Sequence, residues 1–386
     1  MISSGGLPRK ELKNLDFIPS IIDKTFPVPG RFRKTLPSDI AELSRLLTNN
    51  RGARSLSYLS RPNFLSAYLR YFLPWNLSRL CITLPELDLE LKPGDTITDL
   101  GSGPATFALA LWIARPDLRG IPLKINCVDR CVQVLEAGKK LFHAVSGSGE
   151  NAACPWKINL IRKNIDFRRL SGPAGEKADL VCAVNLFNEI YEKIPHNNTE
   201  KLKAFARDAA LLLRDLAKTA APVFTMEPGV PQAGRFISLL RDELKKSGYL
   251  PSSPCPHAET CPLAENSHKK KWCHFSYDTS RAPEELHRLS SAAGLAKERL
   301  VFSYLFAGVK NSKKEQAARV ISDAFPLPAG SYGRYACSDI GLVLFTGEKK
   351  QVDKIESGSL IPLKSYGNIS PAGRRDIKSN AIILAL

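Results

Sequence analysis

The fold of this chain is decided by residues 96–106, which read TITDLGSGPAT. The apolar run Thr96–Leu100 predicts a short strand, and a helix is expected over Thr106–Ala114. Between them, Gly101 and Gly103 allow a tight turn that a ligand can approach closely, because glycine has no Cβ to clash. The free N–H groups at the start of the helix would face the same ligand. We therefore predict a nucleotide-type binding turn at the end of the first strand.

Strands and helices alternate after this turn as far as residue 250. We predict the further strands Ile125–Val128, Lys157–Ile161, Asp179–Val184 and Pro222–Met226. The helices expected between and after them are Val132–Phe142, one that begins at Thr199, and Phe236–Lys246. Such alternation specifies a mostly parallel sheet that helices cover on both faces. The predicted fold class is therefore α/β, with a Rossmann-like sheet.

Residues 1–92 are expected to form helices joined by loops. Asp39 is predicted to cap one helix. Asn63 is predicted to cap another, which runs through Phe72 and ends before Pro74. Aromatic and arginine residues alternate in this region, a mixture that could stack on RNA and neutralise its charge. The ordinary alternative, a packed aromatic core with a solvated arginine rim, stays open.

The sequence pattern changes after residue 250. The segment 251–282 is rich in Pro, His, Cys and Lys and shows no period. Beyond it we expect a helix over 283–293, a strand over 300–309 and a strand-rich tail over about 317–364. The predicted division is a helical N-terminal region (1–92), an α/β core (93–250), a cysteine-rich metal-binding segment (251–282), final core elements with a fourth cysteine (283–345) and a C-terminal extension (346–386).

The composition is that of a globular protein. Of 386 residues, 44% are hydrophobic and 24% are charged, which permits a sizeable core and excludes wholesale disorder. Lys and Arg number 55 against 38 Asp and Glu, and this net charge of +17 favours polyanionic partners, RNA first and an anionic membrane surface second. No apolar run approaches the roughly 20 residues of a membrane helix, and no secretory signal is evident. We expect a soluble cytoplasmic protein without a membrane partner.

Two acidic residues follow the ends of later strands. Asp129, after the second strand, can accept hydrogen bonds from two ribose hydroxyls, and Asp166, after the third, suits an adenine amine. The phosphate-binding lysine of a P-loop and the G-x-G-x-x-G of dinucleotide folds are absent. The D-x-G-x-G pattern instead resembles motif I of class I S-adenosylmethionine-dependent methyltransferases. This resemblance implies a cofactor site made of Asp99, Gly101, Ser102, Gly103, Asp129, Asp166 and Asn185. The alternative is the same fold with an empty pocket.

No catalytic residue is predicted. The fourth strand is followed by Asn185, where this fold presents groups to the methyl acceptor, but the N-P-P-Y signature of exocyclic amine methylation is missing. Cys182 lies within a strand and is expected to be a packed thiol. Glu227, at the end of the fifth strand, either touches substrate or forms a turn. Methyl transfer can rest mostly on the alignment of donor and acceptor, so a missing base does not exclude turnover.

Three of the nine cysteines lie close together in the sequence. Cys255, Cys261 and Cys273 have the spacing C-x5-C-x11-C, and a proline follows each of the first two. Without an export signal the thiols should stay reduced, so this cluster favours a metal site over disulfides.

The best candidate for a fourth ligand is Cys337, which lies in a strand-rich region that could fold back. Four thiolates suit a 4Fe-4S cluster or tetrahedral zinc. His257 or His274 could instead complete a zinc site. The spacing alone does not choose between iron and zinc.

Four motifs together resemble one protein family. DLGSGP, EPGVP, CPHAETCPL and WCHFS look like those of the methyltransferase-like assembly factors of the small ribosomal subunit, found in mitochondria and bacteria. The likeness runs from about residue 40 to 345, and the cysteine segment is its most specific part. It implies a class I methyltransferase fold, binding to the small subunit and its rRNA, and a 4Fe-4S cluster on Cys255, Cys261, Cys273 and Cys337. A mitochondrial targeting segment is not evident, which favours a bacterial cytoplasmic member.

These observations leave three functional hypotheses. The chain methylates small-subunit rRNA with S-adenosylmethionine, or it docks on the subunit as a non-catalytic assembly factor, or it is a zinc-stabilised methyltransferase with another substrate. The lysine run Lys269–Lys271, inside the cysteine loop, favours an RNA contact there, although a solvated lysine run is the ordinary explanation.

Overall fold

An eight-stranded sheet forms the centre of the fold. The computed structural model describes residues 15–28, 30–48, 58–147, 154–165, 176–196, 198–264, 271–309, 316–366 and 373–386. The strands of the sheet are β1 (Thr96–Leu100), β2 (Leu123–Asp129), β3 (Trp156–Arg162), β4 (Leu180–Val184), β5 (Val223–Pro228), β6 (Leu250–Ser253), β7 (Phe275–Asp278) and β8 (Arg299–Gly308). Their order is β3-β2-β1-β4-β5-β8-β6, and β7 also pairs with β8.

The direction of the strands identifies the fold class. The first five strands pair in parallel, and β8 runs antiparallel to β5. Every residue of β1 and β4 is buried, as expected for strands that are covered on both faces. A parallel 3-2-1-4-5 arrangement followed by an antiparallel strand is the topology of class I methyltransferases. It confirms the predicted α/β, Rossmann-like class.

Two short strands lie in the segment for which no regular structure was predicted. Both β6 and β7 pair antiparallel with β8, β6 opposite residues 306–308 and β7 opposite residues 299–302. The prediction was wrong at both ends of the segment, because the sequences LPSS and FSYD are too short to show an alternating pattern. The cysteine loop between them therefore leaves and re-enters the sheet along one edge of β8.

Six helices connect and cover these strands: Thr106–Ala114, Val132–Ser146, Phe187–Tyr191, Thr199–Leu216, Pro231–Lys246 and Glu284–Ala292. The first has the predicted bounds, and all of its residues except Trp112 are buried. A helix that is apolar on every side belongs inside the core. The Thr199 helix begins where predicted, and the side chain of Asn198 caps it by accepting a hydrogen bond from Lys201 N at 3.0 Å.

The N-terminal region is helical, as predicted, with the helices Ile18–Thr25, Gly30–Arg33, Leu36–Thr48, Pro62–Ala67 and Leu73–Thr83. Two predicted caps are wrong, because the helices begin at Leu36 and Pro62, so that Asp39 and Asn63 lie inside their first turns. These two side chains instead bond to each other, with Asn63 Nδ2 donating to Asp39 Oδ1 at 2.8 Å.

The predicted helix end before Pro74 is also wrong. A π-helical turn, Tyr68–Phe72, continues the helix that starts at Pro62, and Leu73 N donates to Tyr68 O. Pro74 directly follows this turn as the second residue of helix Leu73–Thr83, so the backbone stays helical on both sides of a residue that cannot donate a hydrogen bond. The helix can therefore pass through the proline.

A second sheet, of six strands, follows the first in the sequence. Its strands are β9 (Ala317–Val320), β10 (Phe325–Pro326), β11 (Tyr332–Ser338), β12 (Gly341–Gly347), β13 (Leu360–Pro362) and β14 (Ile382–Ala385), in the order β13-β9-β11-β12-β14 with β10 beside β11. The predicted boundary between 345 and 346 falls inside β12. Because β14 pairs with β12 in parallel, the C-terminal extension completes this sheet.

One continuous core joins the N-terminal helices to the large sheet. Within it, helix Leu73–Thr83 packs on helix Thr106–Ala114, the helix that follows the glycine turn. This packing places the N-terminal helices over the carboxyl ends of the parallel strands. Among the described residues, no helix combines the length and apolar character needed to cross a membrane.

Candidate functional site

The predicted glycine turn has the backbone conformation that requires glycine. Gly101 has φ +66° and Gly103 has φ +54°, both in the left-handed region that side chains disfavour. At Gly101 space is also short, since a Cβ would lie 2.7 Å from Leu186 Cδ1. Ser102 is buried and its N–H donates to Val128 O at 3.0 Å, which ties the turn to the end of β2.

Asp129 is the centre of this turn. Its Oδ2 accepts a hydrogen bond from Gly103 N at 3.0 Å, and its Oδ1 accepts one from Cys131 N at 2.9 Å. The carboxylate thus holds the glycine turn against the start of the next helix. Each oxygen keeps a further lone pair that a ligand hydroxyl could use.

Asp99 lies beneath the turn and is 1% exposed. Burial raises its pKa to about 7; hydrogen bonds from Ser102 and Cys182 act in the opposite direction, and the charge of Asp129 adds to the rise. Cys182 Sγ donates to Asp99 Oδ1 at 3.5 Å. Cys182 is itself fully buried, and burial raises its pKa well above the ordinary value, as expected of a packed thiol rather than a nucleophile.

Glu227 has a role that neither of its two predicted alternatives describes. It is fully buried, and its two carboxylate oxygens accept hydrogen bonds from Phe187 N at 2.9 Å and Asn188 N at 3.0 Å. The side chain therefore fixes the start of helix Phe187–Tyr191. Just before that helix, Asn185 adopts φ +54° and donates its N–H to Met226 O at 2.8 Å.

Gly138 supports the glycine turn and was not among the residues predicted from the sequence. It lies in helix Val132–Ser146, and a Cβ there would come within 2.3 Å of Pro104 C and 2.6 Å of Ala105 N. The helix thus packs directly on the backbone of the glycine turn. No motif spacing pointed to this residue, because the contact joins a helix to a turn more than 30 residues earlier in the sequence.

Two cavities open at this end of the sheet. The larger, about 450 Å³, lies between the N-terminal helices and the strand ends, and it is lined by Gly101, Gly103, Asp129 and Asn185 among others. The smaller, about 120 Å³, is lined by Asp129, Asn164, Ile165 and Asn185 among others. The structure therefore brings four of the predicted cofactor residues together at one crevice. Asp166 lies outside the described residues.

The four predicted metal ligands also meet. Cys255, Cys261, Cys273 and the β11 residue Cys337 line one cavity, together with His257. Two side chains approach the sulfurs: Arg241 Nε donates to Cys255 Sγ at 3.3 Å, and His257 Nε2 lies 3.3 Å from Cys337 Sγ.

Arg241 organises the cysteine loop from helix Pro231–Lys246. It is 2% exposed, pairs with Asp242 at 2.6 Å, and donates to the carbonyls of His257 at 3.1 Å and Glu259 at 2.5 Å. The other candidate histidine, His274, does not line the cavity and bonds instead to Trp272 O at 3.0 Å.

The cysteine cavity is tight and apolar. It encloses about 20 Å³, room for about one water molecule. Burial raises the pKa of Cys261 to about 11 and those of Cys273 and Cys337 well above the ordinary value, so these groups are thiols at neutral pH. Over the described residues, no set of three or more His, Cys, Asp or Glu side chains has the arrangement of a metal-binding group. A metal would have to displace the thiol protons and widen the loop.

The predicted RNA-binding lysine run is described only at its last residue. Lys271 Nζ lies 4.8 Å from the centroid of the Tyr335 ring, a cation–π contact with β11. Lys269 and Lys270 lie outside the described residues.

Comparison with solved structures finds several methyltransferases. One, from Bacillus halodurans, is 11% identical, has a TM-score of 0.32, and aligns over 61% of this chain and 99% of its own. Another, a class I S-adenosylmethionine-dependent methyltransferase of Listeria monocytogenes, is 10% identical with a TM-score of 0.32 over 80% of this chain and 89% of its own. Geranyl diphosphate methyltransferase, solved with sinefungin, is 10% identical with a TM-score of 0.33 over 60% of this chain and 78% of its own.

Sequence comparison with curated proteins finds no match. A family model described as Mitochondrial small ribosomal subunit Rsm22 matches residues 66–326, about two thirds of the 386 residues. The match covers the crevice residues Gly101 and Asp129 and three of the four cavity cysteines; Cys337 lies beyond it. The chain therefore belongs to the mitochondrial small ribosomal subunit Rsm22 family.

Proposed function

We propose that the chain is an S-adenosylmethionine-dependent methyltransferase that acts on the rRNA of the small ribosomal subunit. The observation that carries the proposal is the intact crevice, in which Asp129 holds the glycine turn through Gly103 N and Cys131 N. We would not expect a pocket that no longer binds a cofactor to retain left-handed glycines and a hydrogen-bonded carboxylate beside an open cavity of about 450 Å³.

The crevice residues would divide the cofactor between them. Asp129 would accept the ribose hydroxyls, and the turn at Gly101 and Gly103 would let the amino-acid part approach the backbone. Asn164 and Ile165 line the smaller cavity, where the adenine would lie, and Asp166, predicted to bind the adenine amine, is the next residue in the sequence. Bound S-adenosylmethionine supplies an activated methyl group on its sulfonium. The chain then has to exclude water and align the acceptor.

The proposed substrate follows from charge and family together. The net charge of +17 favours an RNA partner, and the family description names the small ribosomal subunit. The family description is mitochondrial, whereas the cytoplasmic location of a bacterial member remains part of our proposal. We also propose the roles predicted for the later segments: methyl transfer in 93–250 and metal binding in 251–282, with the fourth cysteine supplied by 283–345.

The cofactor part is tested by titration with S-adenosylmethionine. The Asp129→Ala variant is expected to bind at least about tenfold more weakly, because two charge-assisted hydrogen bonds that shape the turn are lost. Glu136→Ala, at an exposed position of the neighbouring helix, should bind like the wild type. Methyl transfer from labelled cofactor to immature small subunits then tests turnover. Cofactor binding without transfer would favour the non-catalytic assembly factor, and no binding by the wild type would refute the proposal.

We further propose that the cysteine cavity holds a 4Fe-4S cluster. Support comes from four thiols that line one cavity, with the Arg241 guanidinium beside Cys255 to stabilise a thiolate. Zinc is the alternative, since the same donor set suits it and His257 reaches the cavity as well.

Metal analysis of anaerobically purified protein distinguishes a 4Fe-4S cluster from zinc. A brown protein with about four irons per chain is expected, and Cys261→Ser should lose most of that iron. Cys154→Ser, at a half-buried position outside the cavity, is the matched control and should keep the wild-type content. A colourless protein that contains zinc would replace the cluster assignment, and retention of full metal content by Cys261→Ser would contradict the site itself.

A further inference from the structure

The N-terminal helices present an aromatic surface to the larger cavity. Tyr68 and Phe72 are half-buried, both line the cavity, and their rings stack with centroids 5.7 Å apart and an interplanar angle of 25°. They lie at the two ends of the π-helical turn. Turns of this kind occur frequently at functional sites. We call this pair the aromatic platform.

The platform borders the crevice proposed for the cofactor. Tyr68, Glu189 and Asp129 line the same cavity, and burial, followed by the negative charges of the two carboxylates, raises the pKa of the Tyr68 phenol. Asp129 is the residue that holds the glycine turn. A flat group that stacked on Tyr68 would therefore lie next to the proposed methyl donor.

Two cationic side chains line the same cavity beside the aromatic platform. Lys297 Nζ lies 5.4 Å from the centroid of the Trp75 ring, and Arg79 Nη1 donates to Asn76 Oδ1 at 2.6 Å. Lys297 and Arg79 both line the cavity and are close enough to influence each other: burial and, secondarily, the charge of Arg79 lower the pKa of Lys297 to about 7. An anionic group would relieve this repulsion between two cations.

We propose that the larger cavity accepts one nucleotide unstacked from single-stranded RNA, its base on the aromatic platform and its phosphate at Lys297 and Arg79. The proposal rests on the proposed function and names the form in which the RNA enters that site. Unstacked bases bind aromatic rings irrespective of sequence, and enzymes that modify a base take it out of the helix.

The test uses an eight-nucleotide single-stranded RNA with one central 2-aminopurine, whose fluorescence is quenched when the base stacks on an aromatic ring. Wild-type protein is expected to quench the probe. The double variant Tyr68→Ala, Phe72→Ala should abolish the quenching and weaken binding at least roughly tenfold. Phe32→Ala, which removes an aromatic ring that is 44% exposed and outside the cavity, is the matched control and should quench like the wild type.

A second pair of variants covers the case in which the platform variant does not fold. Lys297→Gln removes the charge but keeps a polar side chain, and it should weaken probe binding severalfold and reduce its salt dependence. Lys354→Gln removes an exposed lysine outside the cavity. It should change probe binding and its salt dependence less than Lys297→Gln does. Equal effects of the two lysine variants, or unchanged quenching in the platform variant, would overturn the proposal.

The cofactor titration separates this inference from the proposed function. Cofactor binding in a wild type that does not quench the probe would overturn the nucleotide pocket alone. A probe response that depends on the platform, in a protein that binds no cofactor, would support the pocket and refute the methyltransferase. Methylation of a ribosomal protein with no response from the RNA probe would also overturn the pocket.

Discussion

Replacement of Glu227 by alanine is expected to lower the free energy of unfolding by about 3–5 kcal/mol. The carboxylate is fully buried and accepts hydrogen bonds from Phe187 N and Asn188 N. Alanine would leave two buried N–H groups without their charged acceptor, and each such group costs about 1–3 kcal/mol. The cavity left by the side chain adds to the loss.

Urea denaturation of the variants measures this effect. Glu227→Gln keeps one carbonyl oxygen as an acceptor but places an NH₂ group toward the other N–H, so an intermediate loss is expected. Glu298→Ala, at an exposed position, should stay within about 0.5 kcal/mol of the wild type. A loss below about 1 kcal/mol in Glu227→Ala would show that the two N–H groups find other partners.

Replacement of Gly138 by alanine is expected to lower the free energy of unfolding by about 2–3 kcal/mol. The new Cβ would meet Pro104 C at 2.3 Å and Ala105 N at 2.6 Å. Both are backbone atoms and cannot rotate away, so the cost falls toward the upper end of that for overpacking. The better helix propensity of alanine, worth about 1 kcal/mol, offsets part of it.

The same substitution should weaken cofactor binding, because the backbone that must move belongs to the glycine turn. Calorimetric titration with S-adenosylmethionine and urea denaturation are to be made on the same preparations. Gly120→Ala is the control, since a Cβ there meets no atom within 4 Å and the position is exposed. Wild-type stability in Gly138→Ala would mean that helix Val132–Ser146 can move away from the glycine turn without a loss of folding free energy, contrary to the close packing described above.

The parts of the fold that were predictable are those whose signal is local. Helix Thr106–Ala114 was predicted with its observed bounds, because an apolar run between a glycine turn and Arg115-Pro116 leaves little choice. The strands β6 and β7 were missed, because four residues carry too little pattern and their pairing with β8 is a long-range contact. The helix end expected before Pro74 was wrong for a related reason, because the sequence gives no signal for the π-helical turn through which the helix continues.

The residues of the site also differ in whether a local sequence signal could reveal them. The turn and Asp129 follow from the order of strands and glycines in the sequence, since strand ends of a parallel sheet meet at one edge. Glu227 and Gly138 act on segments about 30–40 residues away, and no spacing rule reports such contacts. The aromatic and arginine residues of the N-terminal region had two open interpretations. In the structure Tyr71 and Trp75 are buried in the core and Tyr68 and Phe72 are half-buried, and all four side chains border the larger cavity.

Anchoring both ends of the cysteine loop on β8 has a consequence for biosynthesis. Cys255, Cys261 and Cys273 are translated before β8, yet within the described residues the flanking strands β6 and β7 pair only with β8. A nascent chain that ends before residue 299 therefore lacks the strand that holds both ends of the segment with these three cysteines. Their convergence with Cys337 must wait for β8 and then β11, so this cavity is among the last parts of the chain to assemble.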